Sequence, residues 1–219
     1  MARGPDAGSG ARPDAASVRR VLLLHGLWMA PAAMGLLDGR LQRAGFVTER
    51  FGYSSVRGGP EQAIPALAER IRAAPCHVVA HSLGGLITLR TLETHADLPV
   101  ARVVCLGSPL CGSAAARGFR RLPWIGRAVG RSSRLLLRGC RPWRGAAQVG
   151  MVAGWRPIGL GQFLGHFDGD SDGTVAVAET CLDGLADHIV VATSHTGMLV
   201  SPHVAEQAIA FLRTGRFAH

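Results

Sequence analysis

Ser82 stands in the run Ala80-His81-Ser82-Leu83-Gly84-Gly85, which follows the apolar stretch Cys76 to Ala80 and opens an apolar helical segment. A serine with small residues two before and two after it, on a strand-to-helix turn, has the composition of an exposed nucleophile for acyl transfer. The turn is tight enough to admit only small flanking side chains, and the helix behind it aims backbone N–H groups at the point where negative charge would develop. A serine ahead of a helix can also be a plain N-cap. The presence of a base, an acid and a second oxyanion donor separates the two readings.

Reactive side chains in open parallel sheets gather beyond the carboxyl ends of the strands, which sorts the nine histidines. His188 precedes the last predicted strand and so falls at the wrong end, and His81 adjoins the serine and must turn elsewhere. His195, in Ala192-Thr193-Ser194-His195-Thr196-Gly197-Met198, follows that strand and is the candidate general base. A buried carboxylate is then needed to fix its tautomer. The segment Asp168-Gly169-Asp170-Ser171-Asp172-Gly173 offers three, with Asp172 preferred, Asp170 next and Asp168 third. For the oxyanion, the N–H of Leu83 is one expected donor, and the N–H of Leu27 in His25-Gly26-Leu27-Trp28 is the other.

The elements that must hold these residues alternate. Val21 to Leu24 reads as a strand buried on both faces, Met34, Leu37 and Leu41 as a helix ended by Gly45, and Phe46 to Phe51 as a second strand. A helix starting at Pro60 carries Ile64, Leu67 and Ile71 on one face. The strand Cys76 to Ala80, a helix from Leu83 to about Thr94 and a strand Val100 to Leu106 follow. Val149 to Ala153 and Ile189 to Thr193 read as the last two strands, and Ser201 caps a final helix from Pro202 to Leu212. The pattern predicts an α/β fold with a mainly parallel central sheet and helices on both faces.

Val21-Leu22-Leu23-Leu24-His25-Gly26-Leu27, the Ser82 run, Asp172-Gly173-Thr174-Val175 and Ser194-His195-Thr196 together resemble the successive signatures of α/β-hydrolases. Within that family the chain resembles the short bacterial lipases and esterases, including those with alanine two residues before the nucleophile, where Ala80 stands. The resemblance spans roughly residues 20 to 215. It implies a Ser82, Asp172, His195 triad with Leu27 and Leu83 as the oxyanion hole. It further implies carboxylic ester hydrolysis through an acyl-enzyme, on a small-molecule or lipid acyl ester, without metal or organic cofactor. Thioester, amide or acyl-transfer chemistry would use the same triad.

Two segments carry other readings. Asp168, Asp170, Asp172, Gly173 and Glu179 match an EF-hand calcium loop position by position. A noncatalytic, hydrolase-like calcium-binding protein is therefore the alternative of a different class. The glycines upstream (Gly159, Gly161, Gly165) and the extended look of Thr174 to Val177 oppose the flanking helices that such a loop needs. Residues 109–147 break the alternating pattern and are expected to form a basic helical cap or lid. Nine arginines lie between 117 and 144 with no acidic residue among them, and Pro123 and Gly139 predict short broken helices. That insertion is either a solvated helical face or a surface for an anionic membrane or substrate.

The chain has 219 residues, enough for one domain, and a net charge of +9 carried entirely by arginine among its cations. No nucleic-acid-binding signature accompanies that charge. Residues 1–19, rich in Gly, Pro, Ala, Arg and Asp, are expected to be a disordered tail before a domain at 20–219. Ser17 to Leu23 loosely resembles a twin-arginine export signal, but its removal would delete the first strand. Five scattered cysteines without a C-x-x-C pair point to reduced thiols and a cytoplasmic setting.

Overall fold

A computed structural model of the chain describes residues 14–119, 129–158 and 169–219. The elements run β1 (Arg20–Leu24), α1 (Gly35–Arg43), β2 (Val47–Phe51), α2 (Gly59–Arg72), β3 (Cys76–His81), α3 (Leu83–Thr94) and β4 (Val100–Leu106). They continue with α4 (Ala114–Phe119), α5 (Ser133–Arg138), β5 (Gln148–Gly154), α6 (Val177–Thr180), β6 (Asp187–Val191) and α7 (Pro202–Thr214). The six strands form one sheet in the order β2-β1-β3-β4-β5-β6, and every neighbouring pair is parallel.

Strand alternation divides the core into two layers. Leu22, Leu24, Val78, Ala80, Val103 and Cys105 face Leu67 and Ile71 of α2 and Leu86 and Ile87 of α3. Their sequence neighbours Val21, Leu23, Val79, Val104 and Leu106 face Leu37 and Leu41 of α1 and Ala208, Phe211 and Leu212 of α7. Both faces are thus covered, which is why β1, β3 and β4 read as continuous apolar runs. Phe211 is fully buried, and its removal from water is worth roughly 2–3 kcal/mol.

Three expectations differ from the structure. The last strand spans Asp187–Val191, two residues earlier than Ile189 to Thr193. It is the sheet's edge, paired only with β5, and Val190 stays exposed, so its apolar pattern marks the strand's limits poorly. Part of the expected tail belongs to the domain: Ser17 N donates to Asp14 O at 3.0 Å and Val18 is buried, so residues 14–19 join it, while residues 1–13 lie outside the described residues. The stretch Thr174 to Val177 is not a strand. Ser171 and Ala176 form a single antiparallel bridge, and α6 begins at Val177.

The insertion is described at 109–119 and 129–147, and Pro123 lies outside the described residues. A short 3-10 turn, Gly130–Ser132, leads into α5, which ends at Gly139 with φ 66. The expected short helices are therefore present there. At the other end, Ser201 Oγ accepts from Val204 N at 3.3 Å and caps α7.

Candidate active site

Ser82 joins the fully buried β3 to α3 with φ 54 and ψ −120, one of two non-glycine residues with positive φ among those described. Such a conformation costs on the order of 1–3 kcal/mol and persists only when its surroundings impose it. They do so here from three sides. Ser82 N donates to Leu106 O at 2.9 Å, tying the turn to the end of β4. A Cβ on Gly84 would lie 2.9 Å from the His25 carbonyl oxygen, and one on Gly26 would lie 3.1 Å from Ser82 Cβ. Both glycines therefore let the end of β1 close over the turn. The Ser82 side chain makes no capping hydrogen bond to α3, and its hydroxyl has no hydrogen-bond partner among the described residues.

His195 and Asp172 meet beyond the same sheet edge. His195 Nδ1 and Asp172 Oδ2 are 2.7 Å apart, with Asp172 only 1% and His195 7% exposed. The other carboxylate oxygen, Oδ1, accepts from Thr174 N at 2.9 Å and Val175 N at 2.8 Å. The backbones are tied as well, since His195 N donates to Asp172 O at 2.9 Å. Bonded on both oxygens, the carboxylate is fixed in rotation, and it orients Nδ1–H so that Nε2 is left as the basic nitrogen. Gly107, at the end of β4, makes the room. A Cβ there would lie 2.9 Å from Asp172 Oδ2 and 3.1 Å from His195 Nδ1. The pair and Ser82 accordingly flank the same dipeptide, Leu106-Gly107.

The Gly26–Leu27 peptide is held by the His25 side chain and, behind it, by Tyr53. His25 Nδ1 lies 2.8 Å from Gly26 O and can only donate to that carbonyl. A peptide's C=O and the following N–H point in opposite directions, so anchoring Gly26 O sets the direction of Leu27 N–H. Tyr53 in turn stacks on the His25 ring, with centroids 4.4 Å apart and planes within 8°, and donates its hydroxyl to His25 O at 2.7 Å. Tyr53 is the sole tyrosine of the chain, and nothing in the spacing of the strands signals its role. Leu83 is the first residue of α3, where N–H groups have no acceptor within the helix.

His81 turns away from the Ser82 hydroxyl, as its position beside it requires. Its Nε2 lies 2.9 Å from the His195 carbonyl oxygen and donates to it, and the two rings sit 4.6 Å apart. Burial, aided by the nearby His195, pushes the His81 pKa down to about 3, so it acts as a neutral strut. Burial likewise lowers the pKa of His25.

Asp170 is exposed, and its backbone carbonyl accepts from Val177 N at 2.8 Å. Asp168 lies outside the described residues. The Glu179 carboxylate accepts from Ala176 N at 3.1 Å and from Ala114 N, joining the aspartate loop to the base of the insertion. Among the described residues no cluster of three or more His, Cys, Asp or Glu is arranged to hold a metal ion. His188 lies near the amino end of β6, bonded to Thr180 Oγ1 at 2.8 Å and remote from Ser82's end of the sheet.

No family model and no curated protein matches the chain. Solved structures do. The mature form of the Bacillus licheniformis lipase BlEst2 superposes with a TM-score of 0.71 at 17% identity, over 92% of this chain and 93% of that one. The phospholipase PlaB of Legionella pneumophila gives 0.66 at 17% identity over 88% of this chain, which spans 59% of PlaB. A metagenomic carboxyl esterase, MGS0156, gives 0.55 at 19% identity over 82% of this chain and 65% of the other. With its all-parallel six-stranded sheet, helices on both faces and likeness to these lipases and esterases, the chain has the α/β-hydrolase fold.

Proposed function

We propose that the protein is a serine hydrolase of carboxylic esters, acting through an acyl-enzyme on Ser82, His195 and Asp172. The observation that carries the reading is the strained Ser82 turn beside a buried, doubly anchored His195–Asp172 pair at one sheet edge. The lipases and esterases among the similar structures support the same reaction class.

In the first step the Ser82 oxygen bonds to the ester carbonyl carbon while its proton passes to His195 Nε2. The carbonyl π pair moves onto oxygen, where the N–H groups of Leu27 and Leu83 hold it. Collapse of this intermediate breaks the bond to the alcohol oxygen, which leaves with the proton from His195. Water then repeats the sequence on the acyl-enzyme, releasing the acid and restoring Ser82. The contact between Ser82 and His195 closes as substrate binds, since such hydrogen bonds are commonly loose in free enzymes.

The substrate is a small-molecule or lipid acyl ester. The arginines of the insertion suit peripheral contact with an anionic surface, and the five unpaired cysteines suit a reducing, cytoplasmic setting. No helix among the described residues is long and apolar enough to cross a membrane. The test is a panel of aryl esters and thioesters of increasing acyl length, run on the wild type and on Ser82→Ala. Hydrolysis by the wild type alone supports the proposal, and equal residual rates in both overturn it.

A further inference from the structure

The arginines of the insertion divide by place. Arg131, Arg134 and Arg138 follow one another at intervals of three and four across the turn before α5 and α5 itself, so they share one face. That face borders a groove. With Arg90 of α3 and Arg141 beyond α5, it lines about 470 Å³ that α2 closes on the other side through Pro60, Glu61 and Ile64. Leu135 and Cys140 complete an apolar floor. Ser82 is not among the groove's lining residues, and Arg90 lies two helical turns along α3 from it.

The charge in this groove is only partly offset: five arginines line it against one carboxylate, that of Glu61, which lies on the Arg131 side. Arg90 is paired with Glu93 at 2.8 Å. Among the described residues none of the guanidinium groups of Arg131, Arg134, Arg138 and Arg141 meets a carboxylate, and all four residues are exposed. Elsewhere the chain does pair arginines where carboxylates are near, as Arg70 and Arg20 do on Glu49. Like charges one helical turn apart repel, so a concave arrangement of four favours an occupant carrying several anionic oxygens. Guanidinium forks match the oxygens of phosphate in paired hydrogen bonds, and a cavity of this size is in the usual range for a ligand site.

We propose that the groove between α2, α3 and α5 is a binding site for a phosphate-bearing anion, separate from the Ser82 site. The ligand sits on the apolar floor with its phosphate between Arg134, Arg138 and Arg141. The proposal does not depend on the ester hydrolase reading, because binding is measured directly.

Inorganic pyrophosphate is titrated calorimetrically into the full chain, and co-sedimentation is measured with vesicles of phosphatidylcholine alone or mixed equally with phosphatidylglycerol. The variant R131Q/R134Q/R138Q is compared with R19Q/R43Q/R156Q, which removes the same charge from exposed arginines outside the groove. The groove variant is expected to lose at least about tenfold in affinity while the control keeps wild-type binding. Pyrophosphate binding marks a soluble phosphate compound as the natural source. Binding only to the phosphatidylglycerol vesicles marks a lipid headgroup. Equal losses in both variants would reduce the effect to net charge and overturn the site, as would failure of the wild type to bind either probe. Hydrolysis of a short neutral ester is followed in parallel. An unchanged rate in the groove variant is expected, whereas its loss would mean the groove serves the Ser82 site and would contradict their separation.

Discussion

Asp172 and Asp170 lie two residues apart in one loop, yet their surroundings give them opposite fates. Asp172 is buried with both oxygens bonded, whereas Asp170 is exposed. Asp172→Asn is therefore expected to lower kcat by about 10⁴, because the wrong tautomer of His195 is then held, while Asp170→Asn stays near wild type. Steady-state kinetics on both variants check this, and comparable losses would undo the distinction. Tyr53 offers a finer test. Tyr53→Phe keeps the stacked ring and removes only the hydroxyl bonded to His25 O, so it is expected to lower kcat by about tenfold with KM unchanged. A change confined to KM would remove Tyr53 from the positioning of Leu27. Motif and strand polarity bring Ser82 and His195 forward as candidates from the sequence, whereas they leave three aspartates open, and it is the burial and bonding of Asp172 that set it apart. Tyr53 is not marked by any motif, since its contact with His25 joins residues 28 apart, just beyond the ends of the neighbouring strands β2 and β1.

At the level of elements, β3 does more than present the serine. It carries two buried histidines, His77 and His81, whose pKa values burial lowers to about 4 and about 3. In the unfolded chain both return to about 6.5, so the unfolded state binds more protons below that pH. Their neutral forms support the fold fully above pH 6.5, and that support is lost as pH falls toward the folded values. Each histidine should cost about 2 kcal/mol of stability between pH 6.5 and pH 5, which denaturant unfolding at the two pH values would measure. A flat stability across that window would contradict the burial of neutral imidazoles in β3. The aspartate loop makes a second prediction at this scale. Its Glu179 bonds backbone amides and Asp172 bonds His195, so chelator is expected to leave fold and ester hydrolysis unchanged. Loss of either, restored by calcium, would favour the calcium loop. The strands buried on both faces were legible from their continuous apolar runs, whereas the edge strand β6 slipped by two residues because only one neighbour holds it.

Across the whole molecule, the parallel sheet brings three distant segments to one edge. Ser82 follows β3, the acid loop follows β5, and His195 follows β6, all at carboxyl ends. The order of strands in the sheet, and hence which neighbours frame the site, is not written in the local pattern. It comes from the crossovers between layers. The insertion is likewise opaque to periodicity, because its short helices take their places from contacts with α2 and α3 and from the link between Glu179 and Ala114. Everything proposed about the reaction rests on Ser82 being activated by its neighbours. A fluorophosphonate probe applied to the folded protein, with the adduct mapped by peptide mass spectrometry, measures that directly. The expected adduct is on Ser82, absent in Ser82→Ala and strongly slowed in His195→Ala; a folded wild type that takes no label, or takes it at another residue, would contradict the assignment.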